Sequence, residues 1–297
     1  MTSARNYKVR YDVASAIGQG RRDYQEDSLA TDFPIGSQIG FAVLSDGMGG
    51  HAAGDVASKI IVTEVFSELK LQSGTPEELA KTLPGILKEA AIAANNCVRC
   101  HVKTNPDTDG MGATLVAPVL IEDRLFWISI GDSPLYLYRD GDLQQLNEDH
   151  SMAPQIDFMV RSGMMLADVG KNHPDRNCLT SVLFGEDIPR IDCPDEPLQL
   201  EDRDVLIVAS DGIQYLDNDR IASVLAECAD AQSFDIAEKL MSDLEELGDP
   251  DQDNVSFSVI RVHRTESTAA KPGKERRAGA RIWQWPGSMG QNNGCLL

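Results

Sequence analysis

Basic residues, histidines and aromatics are all scarce in this chain. Lysine and arginine number 27 against 47 aspartates and glutamates, for a formal net charge of −20. The deficit is uneven: residues 264–297 carry a net +4, so residues 1–263 carry −24. Such a body does not bind nucleic acid, because a phosphate backbone needs lysine and arginine to displace its counterions. It suits divalent cations instead. Only five histidines occur, and neither His150 nor His173 has a partner at zinc-site spacing. They read as structural or solvated residues. No apolar run approaches the ~20 residues of a membrane span. Residues 1–13 also lack the apolar stretch of a secretory leader. The six cysteines, at 97, 100, 178, 193, 228 and 295, follow no framework, so reduced thiols in a cytoplasmic chain are expected.

Hydrophobic residues are 42% of the chain, enough for one sizeable core. One domain is expected over 1–263. Residues 264–297, rich in Gly, Pro, Ala, Ser and basic side chains, read as a disordered tail. Trp283 and Trp285 lie there among basic residues.

Apolar periodicity sets the order of elements. Strands are expected at 7–16, 27–32 and 39–45, the last a near-continuous apolar run. A helix follows on Ala53, Val56, Ile60, Val65 and Leu69. A second, over 76–102, starts at Thr75-Pro76-Glu77-Glu78, a cap with proline and acids in the first turn. Strands resume from Ala113, through 125–128, 135–138 and 143–146, with Arg139-Asp140-Gly141-Asp142 as a hairpin turn. Residues 147–177 read as a loop-and-helix flap. A buried strand over 205–209, a helix over 235–247 and a strand over 255–262 complete the set. Strands joined by short turns, with helices set apart, indicate an α+β layered domain of antiparallel sheets.

Four acidic signals sit where strands meet turns: Glu26-Asp27, Asp46-Gly47, Asp211-Gly212 and Asp253-Asn254. One Asp-Gly pair is an ordinary turn. Several carboxylates gathered at one sheet edge, however, raise each other's pKa unless cations offset them. All-oxygen ligands favour Mg²⁺ or Mn²⁺ over Zn²⁺. Glycine at 47 would let the backbone carbonyl approach an ion.

Further segments occur in order with these: Arg22-Asp23-Tyr24-Gln25-Glu26-Asp27, Asp46-Gly47-Met48-Gly49-Gly50-His51, Met111-Gly112-Ala113-Thr114, Gly131-Asp132-Ser133, Glu148-Asp149-His150-Ser151, His173-Pro174-Asp175-Arg176-Asn177, Ser210-Asp211-Gly212 and Asp253-Asn254-Val255-Ser256. Together they resemble the metal-dependent protein phosphatases, also called type 2C, in their bacterial form, over residues ~10–262. The resemblance implies a four-layer α-β-β-α sandwich, two central antiparallel sheets flanked by helix pairs. It implies hydrolysis of phosphoserine and phosphothreonine by a hydroxide bridging two Mn²⁺ or Mg²⁺ ions. Asp46 would bridge both metals, the Gly47 carbonyl would ligate one, and Asp211 and Asp253 would complete the other. Asp132 with Asp211 would hold a third, weaker ion, and Glu26 and Asp27 would order the surrounding waters. Arg22 would grip the substrate phosphate with its planar fork. The implied partners are phosphoproteins and an opposing serine/threonine kinase, with the phosphatase a monomer.

The chain departs from the family pattern at four places: Met48 where many relatives have a histidine, Ala113 for Ser or Thr, Pro134 for Arg, and Gln25 for Asn. With Met48 in place, a metal-bound water or His51 would have to supply the leaving-group proton. Cys97-Val98-Arg99-Cys100-His101 matches a haem-attachment pattern but falls within a long helix, so it reads as a coincidence. Asp12, Asp142, Asp149 and Asp187 read as turn or surface acids.

Overall fold

The structure, a computed structural model, describes residues 7–49 and 53–266. One sheet takes its strands from both ends of the chain. Strand β1 (Tyr7–Gly18) pairs along its length with β12 (Val255–Glu266). Next to β12 come β11 (Val205–Ala209), β8 (Leu135–Arg139) and β9 (Asp142–Gln145). The second sheet runs β10 (Leu198–Gln199), β7 (Arg124–Ile130), β6 (Leu115–Ile121), β3 (Ile39–Ser45) and β2 (Ser28–Asp32). Every pairing is antiparallel. A small ribbon joins β4 (Gly47–Met48) to β5 (Gly112–Ala113).

The period of two in the strands builds the layers. In β3, Ala42 and Leu44 face β11 and β12 across the inter-sheet core, with Val116, Leu206, Val208 and Ile260. Their neighbours Phe41 and Val43 face outward, under α1 (Ala53–Leu71) and α2 (Pro76–Thr104). In the other sheet Val205, Ile207 and Ala209 turn the opposite way, under α5 (Asn218–Glu227) and α6 (Ser233–Leu247). The three apolar interfaces therefore separate four layers, helix pair, sheet, sheet, helix pair, as expected. Strand β6 contains Pro118, which has no N–H to donate. The β3–β6 ladder is interrupted between Phe41↔Val119 and Leu44↔Val116, with its register unchanged.

Helix α2 begins at the expected cap. Thr75 Oγ1 accepts from Glu78 N–H, and the Glu78 carboxylate accepts from Thr75 N–H, a reciprocal capping box. Two elements depart from expectation, while the loop-and-helix flap is as expected. Helix α5 was not anticipated, although Asp217 caps it by accepting from Arg220 N–H at 2.7 Å. The flap carries two helices, α3 (Ala153–Arg161) and α4 (Ala167–Lys171). Strand β12 runs to Glu266, so Arg264 to Glu266 belong to the sheet and not to the tail. Trp283, Trp285 and Cys295 lie outside the described residues. No helix among the described residues is long and apolar enough to cross a membrane.

Candidate metal centre

Both sheets end their inner strands at one cleft. Asp46 follows β3 and Asp132 follows β7. Asp211 follows β11, and Asp253 lies two residues before β12. With Arg22, Glu26, Gly47 and Asn254 these four aspartates line a cavity of about 470 Å³. Asp27 is buried just behind it. The structure thus brings together every site residue expected from the sequence.

Hydroxyls fix the ends of the strands. Thr114 Oγ1 accepts from Asp46 N–H at 2.9 Å and meets Ser133 Oγ at 2.7 Å, so the Asp46 and Asp132 turns are joined through it. Ser210 Oγ donates to Asp27 Oδ2 at 2.8 Å. Gly47 sits in a gap only glycine can fill: a Cβ there would lie 2.2 Å from the Gly54 carbonyl and 2.6 Å from that of Glu26. The Glu26 carboxylate accepts from Gly54 N–H at the start of α1, where a helix N-terminus favours negative charge.

The charges are out of balance. Burial, then Asp27, Asp211, Asp132 and Asp253, hold the Asp46 carboxyl well above its ordinary value. Burial, with Asp211 and Asp253 adding to it, pushes Asp27 up to about 7. Burial and then Asp211 and Asp149 push Asp132 up to about 7. Asp211 is raised by burial and Asp253, against lowering by a hydrogen bond from Asp46 and by Arg22. Burial likewise raises Glu26. Like charges crowded in low dielectric resist ionisation together, and coupled groups titrate as a set.

Among the described residues no three carboxyl, thiol or imidazole groups already form a cage for an ion. The side chains explain why. Asp46 faces Asp211, a contact that lowers Asp211 against its burial, and Asp253 is turned onto Arg22 at 2.5 Å. The donor chemistry nonetheless fits a hard divalent cation. All donors are oxygens, and buried Asp27 Oδ1 and Asp211 Oδ1 have no hydrogen-bond partner. A cation beside Asp46 and Asp211 would offset their mutual repulsion.

Asn254 is the residue sequence reading passed over. Its Nδ2 donates to the Gln19 and Tyr24 carbonyls at 2.9 Å each, and its Oδ1 accepts from Glu26 N–H at 2.8 Å. It therefore ties the Arg22–Glu26 loop to the start of β12. Its place beside Asp253 was the available signal, but an asparagine in a turn suggests no such reach. Gln25 does related work, donating to the Gly18 carbonyl and accepting from Asp27 N–H. Met48 lies on the rim, 43% exposed. His51 falls outside the described residues, so the alternatives for the leaving-group proton stay open.

A second lobe of about 660 Å³ opens from the same centre, sharing Arg22, Asp132, Asn177, Asp211 and Asp253. Its walls come from the flap, at Ala153, Pro154 and Arg176, and from Gln214 and Tyr215. Arg176 is fixed there by a two-pronged pair with Asp157 at 2.7 and 3.0 Å. His150 is completely buried and so is structural, not solvated. His173 Nδ1 accepts from Asp175 N–H, a local turn contact. Cys97 and Cys100 lie on α2, inside the long helix expected there. Asp149 makes a turn to Ser151 N–H. Asp12 is no turn acid: it stands in β1 and accepts from Ser233 N–H at the start of α6, at 2.7 Å.

The family model described as protein phosphatase 2C matches residues 19–247. The chain belongs to the protein phosphatase 2C family. Among its relatives, a putative protein phosphatase 2C-type from Streptococcus pyogenes is 30% identical over 254 residues, 85% of this chain and 97% of that one. The serine/threonine protein phosphatase PstP of Mycobacterium tuberculosis is 35% identical over 180 residues, 61% of this chain. This family member thus spans about a third of PstP's length, 32%. The solved catalytic domain of PstP, in complex with two manganese ions, superposes with a TM-score of 0.66 at 27% identity, covering 87% of this chain and all of that domain (100%). The fold agrees with the resemblance drawn from the motifs.

Proposed function

We propose that this protein phosphatase 2C chain is a metal-dependent protein serine/threonine phosphatase. The observation that carries the reading is the meeting of Asp46, Asp132, Asp211 and Asp253 with Arg22 at one cleft. Asp46, Asp211, Asp253 and the Gly47 carbonyl would hold two cations, manganese or magnesium, and Asp132 with Asp211 a third. Glu26 and Asp27 would order the waters around them. The two manganese ions of the PstP catalytic domain support that count. Divalent cations there supply Lewis acidity, making bound water a nucleophile near neutral pH and offsetting phosphoryl charge.

The chain's own residues do the rest. Arg22, 55% exposed at the mouth, takes two phosphate oxygens in its fork. The flap and the Gln214–Tyr215 turn wall the lobe in which the substrate backbone would lie. Substrates would be phosphoproteins made by an opposing serine/threonine kinase. The described cysteines are free thiols, which suits action in the reducing cytoplasm; the phosphatase would act there as a monomer.

The test is hydrolysis of a phosphothreonine peptide with Mn²⁺, against a nucleotide and a sugar phosphate. Peptide turnover abolished in Asp46→Ala and Asp211→Ala supports the reading. Full activity in either variant, or preference for the small phosphates, sinks it.

A further inference from the structure

Asp132 is bracketed by two side chains from the base of the flap. On its N-terminal side, His150 Nδ1 accepts from Gly131 N–H at 3.2 Å, and His150 N–H donates to the Gly131 carbonyl at 3.0 Å. On its C-terminal side, Asn147 Nδ2 donates to the Ser133 carbonyl at 3.0 Å, and Asn147 Oδ1 accepts from Leu135 N–H at 2.8 Å. The corner itself is cramped. Gly131 has φ +109°, and a Cβ there would lie 2.6 Å from Thr114 Cγ2. The Ile130–Gly131 and Ser133–Pro134 peptides, on either side of the Asp132 turn, are thus each held by a side chain from residues 147–150.

The imidazole of His150 makes one hydrogen bond, the one from Gly131 N–H. The ring is fully buried. Because Nδ1 accepts, the ring proton sits on Nε2. Nε2 has no hydrogen-bond partner, and the Glu148 carboxylate stands 3.6 Å away. Burying an imidazole with one nitrogen unsatisfied costs free energy. That cost is offset at Nδ1, where the ring satisfies the buried Gly131 N–H. The His150 carbonyl also accepts from Thr180 N–H and Oγ1 at 2.7 and 2.8 Å, which anchors the ring's own backbone.

We propose that His150 is a positioning residue for Asp132: its Nδ1 fixes the Ile130–Gly131 peptide, and with it the turn from which the Asp132 carboxylate would face the cation shared with Asp211. The proposal rests on the reading of Asp132 as a cation ligand.

Calorimetric Mn²⁺ titration of the full chain tests it. In His150→Asn the amide oxygen stands where Nδ1 stood. In His150→Gln the amide lies one bond further out and misses Gly131. Groups that orient a metal ligand typically set affinity by tenfold or more, so His150→Gln should weaken the weakest Mn²⁺ step by about tenfold. His150→Asn should stay near wild type, and the two tighter steps should not move. Asp132→Ala should remove the weak step, and adding His150→Gln should cost nothing further, since both act through one group. Without metal, the Gly131 amide should exchange slowly in wild type and His150→Asn but quickly in His150→Gln. Equal behaviour of Asn and Gln, weakening of all steps alike, or a further loss in the double variant would overturn the proposal. If Asp132→Ala leaves every Mn²⁺ step intact, the ligand reading fails and the proposal with it. If Asp132→Ala acts and His150→Gln is silent, the proposal alone fails.

Discussion

Arg22 Nη2 meets Asp253 Oδ2 at 2.5 Å, and the other oxygen of that carboxylate accepts Asn254 N–H at 2.8 Å. The residue expected to grip phosphate is therefore paired with one expected to hold a cation. Cation and phosphate arriving together would exchange these partners, Asp253 turning to the cation and Arg22 to the phosphate.

Arg22→Ala should accordingly lower kcat/KM for a phosphothreonine peptide by roughly ten- to a hundredfold, the worth of a lost charged hydrogen bond. Arg22→Lys should recover part of this, because a point charge cannot make the two-pronged contact. Initial rates at saturating Mn²⁺ check both. An Arg22→Ala enzyme with wild-type kcat/KM would remove Arg22 from the site.

Metal-free stability should fall as pH rises. Asp27 and Asp132 titrate at about 7 in the folded protein against an ordinary 3.8. Asp46 is displaced in the same direction. The folded state keeps protons that the unfolded chain releases, so this stabilisation is full below about 4 and lost as pH rises through about 7. Burial displaces His150 downward from 6.5, so this one group opposes the trend up to about pH 6.5 but is outnumbered by the raised carboxyls. Asp157 and Asp243 are also displaced downward, and their contribution changes below about 4, outside that window. In chelator, Tm at pH 8 should lie on the order of 5 °C below Tm at pH 5. Mn²⁺ should flatten or reverse the slope, because it binds only the ionised carboxylates. A Tm in chelator that climbs from pH 5 to 8 would contradict the repulsion argument.

What could be read from the sequence shared one property: the signal was local. Phe41 to Leu44 run into Asp46, and Val205 to Ala209 run into Asp211, so a buried strand and its terminal acid are visible together. The capping box at Thr75 is equally local. Contacts that join distant segments were not legible. Asn254 reaches residues more than 200 positions away. The role of Asp12 likewise depends on the antiparallel pairing of the chain's first and last strands. Helix α5 escaped because its apolar face is short, Ile221, Val224 and Leu225, and follows a turn-rich stretch.

Gly47→Ala should damage site and fold together. The added methyl has no free direction, with the Gly54 carbonyl at 2.2 Å and the Glu26 carbonyl at 2.6 Å. Moving either backbone shifts the start of α1 or the Glu26 loop. A destabilisation of about 1–3 kcal/mol, typical of overpacking, should appear in thermal unfolding, with at least tenfold loss of activity at a temperature where the variant is folded. Wild-type activity in a stably folded Gly47→Ala protein would show that the gap can relax.

Asp12→Ala should separate stability from catalysis. Ser233 is fully buried at the start of α6, its N–H donating to Asp12 Oδ2 and its Oγ to the Asp12 carbonyl, both at 2.7 Å. Removing the carboxylate leaves that N–H unsatisfied, at a cost of about 1–3 kcal/mol. Asp12→Asn keeps an acceptor and should cost less. The site lies past Gly18, six residues along β1, or roughly 20 Å at strand rise. Denaturant titration should show the loss in Asp12→Ala, while kcat/KM at 25 °C stays at the wild-type value. A fall in kcat/KM matching the fall in stability would mean that α6 and the metal centre move as one unit.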